Sequence, residues 1–355
     1  MLCVLSMLRK MEGLSRPEFK GCFVRVAMRI WFFVGVLASF AWAEESLDKG
    51  FEWTGNLDFY YQHSPQAHKA SDTAPGPHVL EGRYFDRQVQ HLNLNFAELS
   101  LKKKTGRATF RIDLASGEMV DQMSGGSSQS TPNPAANEPT HNVTQAFVTY
   151  QATDRFSMMA GKFYTHIGFE VTRAKDNWQY SRSLLFNYGP FWQQGVGFTY
   201  ALAPEKLTGT LYVINGWDGR TSQEGNRELS LGASLNYVGI QDLTLNYNYI
   251  GGRESPVAAR PRRQLHEVNA LYKISDRYQT ALDVHHGTQS HVPGENQVSW
   301  WGAAVYFKAQ VTETYSISPR YEYFDDSDAG LVLVGGFAGA TDVRQRVQAF
   351  HLTNS

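Results

Sequence analysis

Hydrophobic and polar residues alternate with a period of two along most of this chain. In residues 241–250 the apolar positions are Leu243, Leu245, Tyr247 and Tyr249, and Thr244, Asn246 and Asn248 lie between them. The same alternation recurs in 106–116, 228–238 and 277–287. A period of two places apolar side chains on one face of a strand and polar ones on the other. The pattern predicts β-strands, but a soluble β-sandwich would produce it as well.

The lengths of the connections between strands distinguish a membrane β-barrel from a soluble β-sandwich. We predict fourteen strands, at residues 51–61, 88–100, 106–116, 142–151, 155–164, 192–201, 207–215, 228–238, 241–250, 264–274, 277–287, 298–308, 313–324 and 343–352. Short links at 101–105, 152–154, 202–206, 239–240, 275–276 and 309–312 alternate with long ones at 62–87, 117–141, 165–191, 216–227, 251–263, 288–297 and 325–342. Short turns at one end and long loops at the other are typical of outer-membrane barrels.

The predicted fold class is therefore all-β, a transmembrane antiparallel β-barrel with about fourteen strands in this chain. A polar tail, His351–Ser355, lies at the end of the last predicted strand, where a turn should begin. A barrel cannot leave an unpaired strand edge in lipid. The tail favours a parent protein of sixteen strands over closure with fourteen. Pro319 interrupts a predicted strand and donates no backbone hydrogen bond, so we expect a β-bulge there.

An export signal precedes the strands. The apolar run Ile30–Phe40 follows Arg25 and Arg29, and the A-x-A sequence Ala41-Trp42-Ala43 comes directly after it. The run is too short to cross a bilayer as a helix, and its flanks are those of a secretory signal peptide. We predict an N-terminal extension plus signal peptide over residues 1–43, cleaved near Ala43, and a barrel over 44–355. The alternative is a short buried helix.

Cysteine content and charge narrow the possible functions. Cys3 and Cys22 both lie in the leader, so a processed chain contains no thiol and no disulfide. The leader also holds six of the 33 basic and two of the 34 acidic residues, which leaves 27 against 32, a net charge of −5. Nucleic-acid binding calls for a basic face. The expected partners are outer-membrane lipid, lipopolysaccharide and small hydrophilic solutes, with no nucleic acid.

Several short motifs resemble one family. They are Gly161-Lys162-Phe163-Tyr164, Gly168-Phe169-Glu170, Tyr180-Ser181-Arg182-Ser183, Gly189-Pro190, Tyr212–Asp218 and Arg320–Asp326. Together they resemble the β-barrel porin-2 (OmpL-like) family of Gram-negative outer membranes, over most of the processed chain. The resemblance implies a porin of the cell outer membrane, through which small hydrophilic solutes or ions diffuse passively. The alternative is a structural or adhesive barrel that binds a partner through its long loops. General porins are often trimers, so a homo-oligomer remains open.

The third long connection, 165–191, is the candidate pore constriction. It is too long for a hairpin turn and too rich in aromatic residues for a disordered linker. In general porins the third loop folds into the barrel, and charges at a narrow point sort solutes by sign. The candidates for this role are Glu170, Arg173, Lys175, Asp176 and Arg182. The alternative is a loop that faces outward.

Strand parity supplies the candidate lumen wall. Arg111, Asp113, Asp283, Arg320 and Glu322 fall on the polar face of their strands. An Arg or Lys on the lipid face would cost about 2–4 kcal/mol at the bilayer midplane, so an inward orientation is favoured. Both signs of charge are present, and the wall candidates therefore predict no ion preference.

Catalytic and metal-binding readings find little support. Outer-membrane phospholipases pair a His with a nearby Ser, but the candidate His166 has no Ser two residues later. We therefore expect no enzyme activity. His285, His286 and His291 lie close in sequence, but adjacent residues of a strand point to opposite faces. They make a poor metal site, and we expect no cofactor and no metal.

Overall fold

The computed structural model describes residues 50–63, 68–69, 78–79, 85–124, 140–217, 228–253, 262–292, 295–328 and 345–354. The predicted leader, 1–43, and its cleavage site near Ala43 lie outside the described residues, as do the middles of several predicted loops. Within the described ranges, no helix has the length and apolar character needed to cross a membrane.

Fourteen long strands form one antiparallel sheet in which strands that are consecutive along the chain lie side by side. They are β1 (Phe51–Tyr61), β5 (Leu92–Thr105), β6 (Ala108–Ser116), β7 (Val143–Gln151), β8 (Phe156–Tyr164), β9 (Trp192–Ala203), β10 (Leu207–Ile214), β11 (Ser230–Ile240), β12 (Leu243–Arg253), β13 (Arg262–Lys273), β14 (Tyr278–Val292), β15 (Glu295–Gln310), β16 (Ser316–Asp326) and β17 (Gln345–Asn354). The prediction of an all-β antiparallel fold with these strands is confirmed.

Short elements lie between the long strands. The strands β2 (His68–Lys69), β3 (His78–Val79) and β4 (Gln88–Val89) form a small sheet of their own. A helix, α1 (Glu118–Met123), follows β6, and a second helix, α2 (Leu184–Asn187), lies in the connection between β8 and β9. The pattern of alternation did not predict β2, β3 or the two helices, and β4 lies at the start of the predicted strand 88–100.

Three local predictions were wrong. Residues 101–105 are not a turn: β5 runs through them to Thr105, and the turn uses Gly106, whose φ of 56° suits glycine. The predicted loop 288–297 is mostly strand, because the β14–β15 ladder continues to Val292 opposite Glu295. Pro319 causes no bulge. The β15–β16 register is the same on both sides of it, with the pairings of Ser318 and Pro319 to β15 missing, and Pro319 still lies opposite Leu352 of β17.

The two faces of the sheet differ in chemistry. On β13, Leu265, Glu267 and Asn269 are buried, whereas Val268 and Tyr272 between and beyond them are exposed. The exposed face carries large apolar side chains on strand after strand, among them Leu211, Leu231, Leu235, Leu282, Val305, Tyr321, Phe350 and Leu352. A contiguous apolar surface of this extent suits contact with lipid. The opposite face carries the buried polar and charged groups.

The sheet curls round the segment 165–191. The Tyr180 hydroxyl donates to Asp58 of β1 at 3.0 Å, and its neighbour Gln179 accepts from Thr353 of β17 at 2.7 Å. In a flat sheet the first and last of fourteen strands would lie about 60 Å apart. Two adjacent residues can contact both strands only if the sheet rolls up. The strands therefore form the wall of a barrel, and the segment lies inside it.

Candidate functional site

The segment 165–191, called here the inner loop, turns into the barrel directly after β8. The His166 ring stacks on Tyr212 at 4.4 Å between centroids, and its Nε2 lies 2.8 Å from the carbonyl oxygen of Tyr249. Gly232 makes room for the ring, because a Cβ there would lie 2.8 Å from His166 Cε1. Burial lowers the pKa of His166 to about 4. The neutral imidazole donates to Tyr249 and fixes the entry of the loop.

Two backbone amides of the inner loop bind carboxylates of the wall. The N–H of Gly168 donates to Glu267 Oε2 at 2.9 Å, and the N–H of Phe169 donates to Asp283 Oδ2 at 3.3 Å. The Phe169 ring packs against Tyr306 at 4.9 Å between centroids. A buried backbone N–H needs an acceptor, and here acidic side chains of β13 and β14 supply it.

Arg173 contacts a different part of the inner wall, at strands β5 and β6. Its Nε donates to Glu98 of β5 at 2.5 Å, and its Nη2 donates to Ser100 at 2.9 Å. Asp113 of β6 lies 3.7 Å from the same guanidinium, and Arg111 contacts Asp113 at 2.9 Å. The two arginines and two carboxylates therefore balance in charge.

Lys175 and Asp176 occupy the exposed part of the inner loop. Lys175 Nζ lies 2.7 Å from Asp176 Oδ1, and the two side chains are 59% and 42% exposed. An exposed pair of this kind is worth about 0–1 kcal/mol and leaves both charges in water. Of the five constriction candidates, these two are the most open to solvent.

Arg182 braces the inner loop from within. Its guanidinium donates to the carbonyl oxygens of Val171, Thr172 and Tyr180. The side chain is buried, and this burial lowers the pKa of Arg182 from its ordinary value. The planar guanidinium holds several donors in fixed directions, so Arg182 can bind three carbonyl oxygens of the same segment at once. This arrangement indicates a structural role for Arg182.

Glu170 and Arg320 join the inner loop to β16. Arg320 is fully buried, and its Nη1 lies 2.9 Å from Glu170 Oε1 while its Nη2 lies 3.2 Å from Glu322 Oε1. The same guanidinium donates to Ser181 and to the carbonyl oxygen of Arg182. Burial raises the pKa of Glu170, and the neighbouring Arg320 opposes that rise.

The carboxylates of this cluster also bind the start of α2. Glu170 Oε2 accepts from the Ser183 N–H at 2.7 Å, and Glu322 Oε2 accepts from the Leu184 N–H at 2.6 Å. Ser183 caps the helix, since its side chain accepts from the N–H of Phe186. His351 of β17 lies 2.9 Å from Glu322 Oε1.

The predicted site residues thus fall into distinct places. Glu170 and Arg182 are buried in contacts that hold the inner loop, Arg173 is partly buried against the wall, and Lys175 and Asp176 face solvent. The wall candidates Arg111, Asp113, Asp283, Arg320 and Glu322 all lie on the inner face of the sheet.

Sequence reasoning missed Glu98, Ser100 and the role of His166. Glu98 and Ser100 alternate with Leu99 and Leu101, so parity along β5 was a usable signal for their inward orientation. The contact between His166 and Gly232 could not be predicted in this way, because it depends on the path of the inner loop through the barrel.

These features define the class of the protein, a membrane β-barrel with a segment folded across its interior. The chain belongs to the family described as "Putative beta-barrel porin-2, OmpL-like", whose profile matches residues 50–355. It is an outer-membrane porin, a channel for small solutes. Comparison with curated protein sequences gives no match.

Solved structures with some likeness to this chain are outer-membrane proteins. OmpT of Vibrio cholerae is 11% identical, with a TM-score of 0.46 over 78% of this chain and 74% of its own. An anion-selective porin from Comamonas acidovorans is 10% identical, with a TM-score of 0.46 over 78% and 79%. The outer-membrane channel DcaP of Acinetobacter baumannii is 10% identical, with a TM-score of 0.40 over 87% and 98%. Similarity at this level says nothing about the solute of this chain.

Proposed function

We propose that the inner loop is the constriction of this porin and that small hydrophilic solutes or ions diffuse passively past it. The observation that carries the proposal is the set of hydrogen bonds from one loop to strands far apart in the sheet order, at Glu98 of β5 and at Glu267 of β13. A segment tied to opposite parts of the wall occupies cross-section that would otherwise be open to solute.

Within this proposal the five candidate charges have different roles. Glu170 and Arg182 hold the inner loop in place, since both are buried and hydrogen-bonded. Lys175 and Asp176 act on passing solutes through their exposed charges, and Arg173 contributes through the part of its side chain that remains accessible. A pore selects by charges at its narrow point, so the exposed pair is the candidate filter.

Thiol chemistry can test the constriction directly. Both cysteines precede residue 44, so a chain processed near Ala43 has no thiol of its own. We expect Lys175→Cys, once inserted in a planar bilayer, to lose much of its single-channel conductance on reaction with a bulky methanethiosulfonate reagent. Asp276→Cys, in the exposed turn between β13 and β14, is the matched control and should keep its conductance.

Two results would contradict the proposal. One is full modification of Lys175→Cys, verified by mass, without a change in conductance. The other is correct insertion of the unaltered chain with no conductance steps. In either case the alternative, a structural or adhesive barrel that binds a partner through its long loops, would gain support.

The proposal extends to export and surroundings. The leader 1–43 is removed near Ala43, and the N-terminal sequence of the protein isolated from outer membranes should begin near Glu44.

The exposed apolar face contacts lipid, and the exposed Arg262 at the start of β13 binds lipopolysaccharide phosphates. Three equal conductance steps per insertion would indicate a homotrimer. We infer that the channel acts without catalysis, as its membership of a porin family suggests.

A further inference from the structure

Three pairs of wall and loop carboxylates face the interior of the barrel, and two of them have arginine partners. Glu98 and Asp113 contact Arg173 and Arg111, and Glu170 and Glu322 contact Arg320. A buried carboxylate is costly unless a positive charge compensates it. The arginines provide that compensation in these two pairs.

The third pair, Glu267 of β13 and Asp283 of β14, has no such partner. Both side chains are buried, at 0% and 2% exposure, and within the described residues no Lys or Arg lies within ion-pair distance of either. The basic group beside them is His285, whose Nε2 lies 3.3 Å from Asp283 Oδ1. A divalent cation would balance both carboxylates, whereas one imidazolium would balance half of their charge.

The geometry of the three side chains fits a metal ion. Glu267, Asp283 and His285 can each direct one ligand atom to a common point, with all three atoms within 4.8 Å of one another. The Asp283–His285 separation of 3.3 Å is close to the ligand–ligand edge of about 3.4 Å expected for a tetrahedron with bonds of about 2.1 Å.

A second observation points to a ligand at the same place. Asp283 Oδ1 and His285 Nε2 are both buried, and although they lie 3.3 Å apart, neither makes a hydrogen bond to the other or to any other described group. Buried polar atoms are nearly always partnered, so two orphaned atoms that face one another call for an explanation. A bound cation would satisfy both at once.

The surroundings hold the ligands in position. Glu267 accepts from the side chains of Asn248 and Asn269 and from the N–H of Gly168, and the other oxygen of Asp283 accepts from the N–H of Phe169. Outer partners of this kind orient metal ligands and tune their affinity. The strands also set the arrangement, because Glu267 lies directly opposite His285 in the β13–β14 ladder.

From this geometry we propose that Glu267, Asp283 and His285 form a divalent metal site of the Zn²⁺ class in the barrel wall beneath the start of the inner loop. One imidazole nitrogen and two carboxylates suit Zn²⁺ or a similar first-row ion, whereas Ca²⁺ and Mg²⁺ prefer oxygen ligands throughout. The bound ion fixes the two carboxylates that hold Gly168 and Phe169. The proposal stands apart from the constriction, because metal binding does not depend on what passes through the pore.

The test uses the full chain in detergent, stripped of metal with a chelator and then titrated with Zn²⁺, Ca²⁺ or Mg²⁺. We expect one Zn²⁺ per chain by elemental analysis, and weaker binding of the other two ions. Asp283→Asn and His285→Gln should each raise the Kd for Zn²⁺ by at least about 100-fold, more than loss of an outer partner typically does.

His286→Gln is the matched control, because His286 is the next residue but lies exposed on the opposite face. Its Kd for Zn²⁺ should equal that of the unaltered chain. X-ray absorption of the Zn²⁺-loaded unaltered chain should show one imidazole and otherwise oxygen ligands, so the test survives if a variant fails to fold. Folding is checked by the heat-dependent shift on SDS gels. Absence of Zn²⁺ uptake by the folded chain, or uptake that Asp283→Asn and His285→Gln leave unchanged, would overturn the proposal.

Discussion

Replacement of Arg320 by methionine should release the inner loop while leaving the barrel folded. Arg320 makes five hydrogen bonds, to Glu170, Glu322, the Ser181 hydroxyl and the carbonyl oxygens of Ser181 and Arg182. Four of these five hydrogen bonds join Arg320 to the inner loop, and they therefore hold the loop against β16. Methionine fills a similar volume but supplies no donor and no charge.

The cost follows from what remains buried. In Arg320→Met, the carboxylates of Glu170 and Glu322 stay at 2% and 1% exposure without the guanidinium between them. Removing one partner of a buried ion pair costs about 3–5 kcal/mol, mainly because the other charge is left uncompensated. The loop can avoid this cost by leaving the wall. Its opening equilibrium constant should therefore rise by roughly two to four orders of magnitude.

Hydrogen exchange and conductance together measure this change. The amides of Ser183 and Leu184, which donate to Glu170 and Glu322, should exchange faster by the same factor, and mean conductance should increase. Arg346→Met is the control on the neighbouring strand. Arg346 is 67% exposed and its pair with Asp325 is worth at most about 1 kcal/mol, so exchange at 183–184 should not change.

A correctly folded Arg320→Met barrel with unaltered exchange and conductance would refute this reasoning. Adding Glu170→Gln to Arg320→Met gives a further check, because it removes one of the two buried carboxylate charges that Arg320 no longer compensates. In the double variant Glu170→Gln/Arg320→Met the exchange rate should move back toward that of the unaltered chain. A double variant that exchanges faster than Arg320→Met alone would show that the buried charge is not the cause.

Four further variants probe the loop entry and the filter. Gly232→Ala should displace the His166 ring, which a Cβ would approach to 2.8 Å, at a cost of about 1–3 kcal/mol, seen as faster amide exchange in 165–170. Burial holds the pKa of His166 at about 4, so its contribution to the stability of the loop entry is present above pH 6.5 and is lost as the pH falls toward 4. About 2 kcal/mol of this stability should be lost between pH 7 and pH 5. His166→Gln should abolish this pH dependence, measured as amide-exchange protection factors. Lys175→Gln should shift the reversal potential toward cations and Asp176→Asn toward anions, each by at most about fivefold in permeability ratio.

Each of these has its own control. Gly55→Ala should be silent, because the nearest atom to its Cβ would lie at 4.0 Å. A pH profile for His166→Gln that matches the unaltered chain would assign the acid sensitivity to other groups. Equal shifts of the same sign in Lys175→Gln and Asp176→Asn would mean that the loop moves, and that neither charge acts as a filter.

Strand faces could be predicted from sequence because alternation is a local property. Leu282 and Val284 flank Asp283, so the inward orientation of that carboxylate follows from three consecutive residues. The order of strands was predictable too, since each antiparallel strand pairs with the next along the chain.

Register was not predictable to one residue. The predicted turn at 275–276 would place His285 opposite His266, but the observed turn spans 274–277 and places His285 opposite Glu267. A slip of one residue exchanges the faces. The cluster of Glu267, Asp283 and His285 could therefore not be predicted from the sequence. The contact of Glu170 with Arg320 spans 150 residues of sequence and has no local signal at all.

The contacts of the inner loop also separate conductance from selectivity. The processed chain carries an excess of acidic residues, which by itself would suggest a channel for cations. However, Glu98 and Glu322 are buried, accept hydrogen bonds from the inner loop and pair with arginines, so their charges are balanced. Because a buried, paired charge projects little field into the lumen, wall substitutions should change how wide the pore opens. Substitutions at the exposed residues 175 and 176 should change which ions pass, and the two effects should be measurable independently.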